Sequence, residues 1–155
     1  MEYPNLDLKT SIVFPLYLCS KEVIRKYSDF LKIYDLTYTQ FLVLMYFISE
    51  KQSNLKRIGQ TLLLDSSTLT PLLKKMEKKG FIVRGKSLED ERNLTVSITK
   101  KGLALENDLR KVPIQVKEIL NLEDSEIEML HKLTYKMLYN LMEVDKNESD
   151  KSKKW

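Results

Sequence analysis

Between Thr10 and Tyr34 apolar residues return every three or four positions, as Ile12, Leu16, Cys19, Val23, Tyr27, Phe30 and Leu31, with Lys21, Glu22, Arg25 and Lys26 between them. A stripe of that period is one face of an amphipathic helix. Thr37 or Thr39 then caps a second helix through Phe41, Leu42, Leu44, Met45 and Ile48, since a hydroxyl there accepts a bond from a first-turn N–H. A short third helix is predicted over about Leu55–Leu62, with Leu55, Ile58 and Leu62 on one side. A tight turn at Leu63–Asp65 leads into a fourth. Ser66 or Ser67 is its expected cap, and Pro71 is placed in or near the first turn, where a missing N–H costs least. Leu69, Leu72, Leu73 and Met76 make its inward stripe, and Gly80 supplies the stop.

After Gly80 the period changes from helical to alternating. Phe81–Arg84 and Leu94–Ile98 are β-prone and are joined by the polar connector Gly85–Asn93, which predicts a two-stranded hairpin with a charged tip. Thr99 caps a further helix through Leu103, Leu105 and Leu109, with a bend or break expected at Pro113. The last helix is predicted from about Asp124 to Val144, with Ile127, Leu130, Leu133, Thr134, Met137, Leu138 and Leu141 as its stripe. That apolar surface is wide for a terminal helix and points to partner contact as well as packing within the chain. Residues 145–155 are polar and are expected to fray.

Composition narrows the class. A length of 155 residues fits one ordinary domain, and 43% apolar with 31% charged residues allows a folded core. Four glycines and four prolines favour long helices over a loop-rich design. Apolar runs such as Phe41–Ile48 are too short to span a bilayer. The first ten residues carry charges of both signs and no signal-peptide pattern, so a cytoplasmic protein without membrane contact is expected. One cysteine excludes an intrachain disulfide, and with a single histidine it argues against a zinc site. No metal or cofactor is expected. Neither is an enzyme, because no nucleophile, acid–base pair or metal motif has workable spacing.

Charge is gathered in the middle of the chain. Residues 54–102 hold eleven Lys/Arg against five Asp/Glu, whereas the remainder holds fifteen against seventeen. A surface that faces a polyanion is built this way. Short helix, turn, second helix and hairpin in this order make a winged helix-turn-helix. The leucines of its second helix hold it to the core, so Ser67, Thr68, Thr70, Pro71, Lys74 and Lys75 are left to point outward. Small hydroxyls and helix N–H groups suit base edges and phosphates, and the lysines supply the salt-sensitive part of binding. Lys78 and Lys79 are either part of that set or an ordinary solvated face.

At Leu64–Glu77 the sequence resembles the recognition helix of the MarR family, nearest its organic-hydroperoxide and thiol-based redox branch. The segment Glu89-Asp90-Glu91-Arg92-Asn93, followed by Ser97-Ile98-Thr99, is similar to that family's Asp-x-Arg wing. The resemblance implies a mainly α fold with a small β-hairpin, a winged helix-turn-helix carrying N- and C-terminal dimerisation helices. It divides the chain into residues 1–36 (dimerisation), 37–100 (DNA binding), 101–144 (dimerisation) and 145–155 (flexible tail). It implies double-stranded DNA and a second copy of the chain as partners, and a regulator, expected to be a repressor, on an inverted-repeat operator. Arg92 would enter the minor groove with Asp90 positioning it, in keeping with the pull of a narrow groove on arginine. The expected DNA-binding set is Ser66, Ser67, Thr68, Thr70, Pro71, Lys74, Lys75, Arg84, Lys86, Asp90 and Arg92. A winged helix that binds protein instead of DNA is the alternative.

The effector is less determined. The redox branch carries a reactive cysteine near the start of its first helix, and Val13 stands at that place here. Valine forms no sulfenic acid or mixed disulfide. Cys19, six residues on, lies on the apolar stripe, where a thiol is expected to be a buried, inert small hydrophobe; the other reading is a displaced sensor. Tyr17, Tyr27 and Tyr38 either pack the junction of the first two helices or, with Val13 and Cys19, line a pocket for a small molecule or oxidant.

Overall fold

The computed structural model describes residues 8–86 and 94–152, and the chain divides into two compact units, Met1–Val116 and Lys117–Trp155. A 3-10 turn at Leu8–Thr10 precedes α1 (Val13–Leu31), and another at Lys32–Tyr34 follows it. The middle of the chain comprises α2 (Tyr38–Glu50), β1 (Gln52–Asn54), α3 (Leu55–Leu62), α4 (Ser66–Lys78), β2 (Ile82–Lys86) and β3 (Leu94–Ile98). Then come α5 (Lys100–Ala104), α6 (Glu106–Leu109), α7 (Lys111–Leu120) and α8 (Asp124–Ser152). The expected fold class, mainly helical with a small antiparallel sheet, is what the chain adopts.

Most boundaries have a local cause. Thr37 opens α2 with a capping box: its Oγ1 accepts from the Gln40 N–H at 3.3 Å, and Gln40 Oε1 accepts from the Thr37 N–H at 3.1 Å. Asn54 opens α3 by accepting from the Arg57 N–H at 2.8 Å. Left-handed Leu63, with φ 51°, closes it. The turn there needs Gly59, since a Cβ at that position would stand 2.8 Å from the carbonyl oxygen of Leu64. Asp65, and neither Ser66 nor Ser67, caps α4: its carboxylate accepts from the Thr68 N–H at 2.7 Å, and the two serines are the first helical residues. Pro71 lies beyond the first turn, inside the helix, and so supplies no N–H to the carbonyl of Ser67. Gly80 ends the helix as expected, at φ 77°.

The sheet is antiparallel in the order β1-β3-β2, with Arg84 opposite Val96 and Ser53 also opposite Val96 from the other side. β1 has no counterpart in the apolar pattern, because Gln-Ser-Asn does not alternate. It is set by contacts: Tyr46 Oη bonds Ser53 Oγ at 2.8 Å, and the Ile98 N–H donates to the Lys51 carbonyl at 3.0 Å. Thr99 caps α5 through the Gly102 N–H at 3.1 Å. The breaks after it fall at Leu105 and Arg110, not at Pro113. Pro113 is the third residue of α7, where the N–H has no helical partner to lose.

One core holds the first unit together. Val43, Leu44 and Phe47 of α2 meet Ile58, Leu69, Leu73, Met76, Ile82, Val96, Leu109 and Val112. Full burial of a leucine or phenylalanine contributes about 1.5–3 kcal/mol. α2 is buried on most sides, so its apolar residues run almost without interruption. α1 joins this core only near its end: Leu31 is buried and Val23, Tyr27 and Phe30 pack against the cluster. Ile12, Val13, Tyr17 and Leu18 are exposed, and so is Cys19, contrary to the buried position expected for it. The stripe is present, but its first half meets no cover among the described residues of its own unit.

In the second unit α8 runs to Ser152, eight residues past the predicted end. Lys117 and Asp124 pair at 2.7 Å across the turn that precedes it, and the ring of His131 lies 4.6 Å from that of Tyr135. Met129, Leu130, Leu133, Met137, Leu138 and Leu141 are exposed along it. No helix among the described residues is long and apolar enough to cross a membrane.

Candidate nucleic-acid interface

The burial of Leu69, Leu73 and Met76 fixes which way α4 faces. Ser66, Ser67, Thr68, Pro71, Lys74, Lys75 and Lys78 are exposed, whereas Thr70 sits half-buried on the flank. At the helix start, Asp65 gathers the Ser67 hydroxyl at 2.5 Å, the Thr68 N–H at 2.7 Å and the Thr68 hydroxyl at 3.1 Å. These bonds, that from Ser67 first, hold the Asp65 carboxyl below the usual range. Both hydroxyl protons therefore point back at the cap, and the oxygens offer lone pairs outward. Lys74 and Lys75 enter none of the ion pairs among the described residues. Lys79, by contrast, turns away from this face toward the corner after α1.

Arg84, in the expected DNA-binding set, has its guanidinium paired with Glu77. Nε donates to Glu77 Oε2 at 2.8 Å, Nη2 donates to the same oxygen, and the Arg84 N–H donates to Oε1 at 3.1 Å. Arg84, its main cause, holds the Glu77 carboxyl below the usual range. Lys86 ends β2 opposite Leu94. Asp90 and Arg92 lie outside the described residues.

One surface was not anticipated. Lys56 and Gln60 of α3, with Asn54, Gly59, Leu64, Asp65 and Ser66, line an open groove of about 810 Å³ beside the start of α4. The signal was the polar face of α3 opposite Leu55, Ile58 and Leu62. Arg57 of the same helix is tied to Glu50 at 3.3 Å.

The expected effector residues separate into two groups. Tyr27 and Tyr38 meet edge to face at 5.0 Å between ring centroids, and Phe41 lies 5.6 Å from Tyr27. Burial raises the pKa of both phenols, so they stay protonated. Val13, Tyr17 and Cys19 are exposed on the first half of α1 and do not join them. No cluster of metal-ligating side chains occurs among the described residues.

The family model described as transcriptional regulator SarA/Rot matches residues 25–109, from the middle of α1 to the end of α6. The chain belongs to the SarA/Rot family. This SarA/Rot protein is a winged-helix transcriptional regulator. It is 43% identical over 126 residues to the HTH-type transcriptional regulator SarZ of Staphylococcus aureus, covering 81% of this chain and 85% of that one. AbfR of Staphylococcus epidermidis is similar in structure, with a TM-score of 0.73 and 28% identity over 88% of this chain and 94% of AbfR. The resemblance to MarR regulators holds at the level of fold: reduced MarR from E. coli covers 83% of this chain and 96% of its own at a TM-score of 0.72. AbfR has been solved bound to DNA in both reduced and overoxidized forms.

Proposed function

We propose that this SarA/Rot regulator binds an inverted-repeat operator in double-stranded DNA as a homodimer in the cytoplasm, and that it acts as a repressor. The observation that carries this is the exposed face of α4, where Ser67, Pro71, Lys74 and Lys75 stand clear above a buried leucine stripe. A helix held rigidly from behind can enter a major groove without losing order. The proline ring offers an apolar surface of the kind that meets a thymine methyl group, and the lysines reach phosphates. Asp90 and Arg92 keep the wing role that the family resemblance implies. The exposed apolar residues of the first half of α1, and separately those of α8, are the surfaces a second copy would cover. Two reading heads about 34 Å apart would then meet successive major grooves.

Two effector chemistries follow from the residues: an oxidant acting on exposed Cys19, or a small ligand at the Tyr27–Tyr38 pair. The first is supported by AbfR, which has been solved on DNA in reduced and overoxidized forms. A protein-binding winged helix is the less favoured reading, because a face that presents Lys74 and Lys75, outside every ion pair among the described residues, is matched to an anion.

Fluorescence anisotropy against duplexes that contain inverted repeats tests the proposal. Binding should weaken linearly in log–log salt, and changing Lys74 and Lys75 together to alanine should reduce that slope by about two. Failure to bind any duplex would remove the DNA reading.

A further inference from the structure

We infer that Glu77 and Arg84 form a strut that sets the wing hairpin on the recognition helix, and that DNA affinity depends on this pair although neither residue touches DNA. The inference rests on the DNA-binding reading above.

Glu77 lies on the flank of α4, one residue after buried Met76. Arg84 is the third residue of β2, at the edge of the sheet. The two are seven residues apart, with Gly80 and the helix stop between them. One carboxylate therefore holds the far strand through two side-chain bonds and one backbone bond. The backbone bond is the informative one. An arginine that only neutralised a carboxylate would leave its strand free to slide or rotate, whereas a carboxylate seated on the strand's own N–H fixes the peptide itself. Side-chain exposure is 23% for Arg84 and 32% for Glu77, so the pair is partly withdrawn from water and less screened than a surface pair.

The consequence concerns where the hairpin points. β2 leaves α4 through a turn tied at its base: Thr99 Oγ1 donates to the Gly80 carbonyl at 2.7 Å, the Phe81 N–H donates to the Met76 carbonyl at 3.1 Å, and Lys101 Nζ donates to the Lys79 carbonyl at 2.7 Å. The Glu77–Arg84 contact is the tie farther along the strand. The ladder to β3 and the buried Ile82 and Val96 hold the sheet to the core, and the Glu77–Arg84 contact adds a direct tie from β2 to α4 that fixes the angle between them. Two DNA-reading elements bind additively only when their spacing is set beforehand, so that ordering is not charged to binding.

Bare electrostatics makes the opposite prediction, which is what allows a test. Glu77→Gln removes a negative charge beside the basic face, and if charge alone mattered, binding would tighten. If the pair is a strut, Glu77→Gln weakens binding on the order of tenfold, as loss of a charge-assisted contact would. Arg84→Lys, which keeps the charge but not the two-point fork, weakens it as well. The exchange Glu77→Arg with Arg84→Glu preserves net charge and should recover part of the loss. The measurement is duplex affinity as a function of salt with the full chain, alongside circular dichroism and the amide exchange rate of Arg84. In Glu77→Gln that amide should exchange faster, and the salt slope should fall because the wing contributes fewer phosphate contacts. Tighter or unchanged binding in Glu77→Gln with wild-type folding would overturn the strut, as would full affinity in Arg84→Lys. A wild-type chain that binds no duplex would overturn the DNA reading itself, a separate result.

Discussion

Lys79, the residue that follows α4, forms an ion pair at 2.9 Å with Asp35, which ends the corner after α1 forty-four positions earlier. Its Nζ also donates to the Asp35 carbonyl and lies 3.4 Å from Gln40 Oε1. The C-terminal end of the recognition helix is thus fastened to the start of α2. The Asp35 side chain is 86% exposed, so the charge pair itself is screened and contributes ~0–1 kcal/mol. The carbonyl contact survives any change of the Asp35 side chain. Lys79→Ala should therefore lower stability by about 1 kcal/mol in urea titration, and Asp35→Asn by less. An equal loss from both would place the effect in the ion pair.

Asp65 makes α4 sensitive to acid. Its carboxyl is held below the usual range by the Ser67 hydroxyl and the Thr68 N–H, so its contribution is present above the ordinary carboxylate pKa and is lost as pH falls through the lowered folded value. Asp65→Ala should lower the melting temperature at neutral pH and flatten the pH dependence below about 4. Asp65→Asn, which keeps a capping oxygen, should recover most of the neutral-pH loss.

Gly102 admits no side chain. A Cβ there would stand 2.4 Å from the Phe81 carbonyl oxygen and 2.9 Å from Ile98 Cγ1. One neighbour is backbone and cannot turn aside, so Gly102→Ala should cost about 3 kcal/mol or prevent folding, as overpacking of a tight contact does. Thermal unfolding followed by circular dichroism measures it, and a loss below about 0.5 kcal/mol would show that the wing base can yield.

Cys19 is exposed, so Cys19→Ser should leave unfolding free energy within about 0.5 kcal/mol of wild type. A buried thiol on a packed stripe would cost more. The same variant, treated with peroxide while bound to DNA, separates the two effector chemistries: an oxidant response that disappears belongs to Cys19, and one that persists lies elsewhere.

The sequence predicted elements where the cause is local. α2, α3 and α4 could be placed because Thr37, the Leu55–Ile58–Leu62 spacing and Gly80 act within a few residues of themselves. It erred where the cause is a distant partner. The expected cap, Ser66 or Ser67, gives way to Asp65, whose carboxylate collects three donors. Charge alone cannot place Arg84 or Lys79, each of which is occupied by an acid or carbonyl on another element. β1 carries no pattern at all, since its pairing comes from β3 and Tyr46. Periodicity marks the stripe of α1 as apolar but does not say which part of it the chain's own fold will cover.

The seat of Glu77 on the Arg84 N–H has a protective side. Strands at the margins of a sheet offer unpaired amides to any passing chain and so act as templates for aggregation. One margin here is β1, three residues long, and the other is β2. By occupying an outward amide of β2 with a charged group, the protein blunts the longer of its two margins.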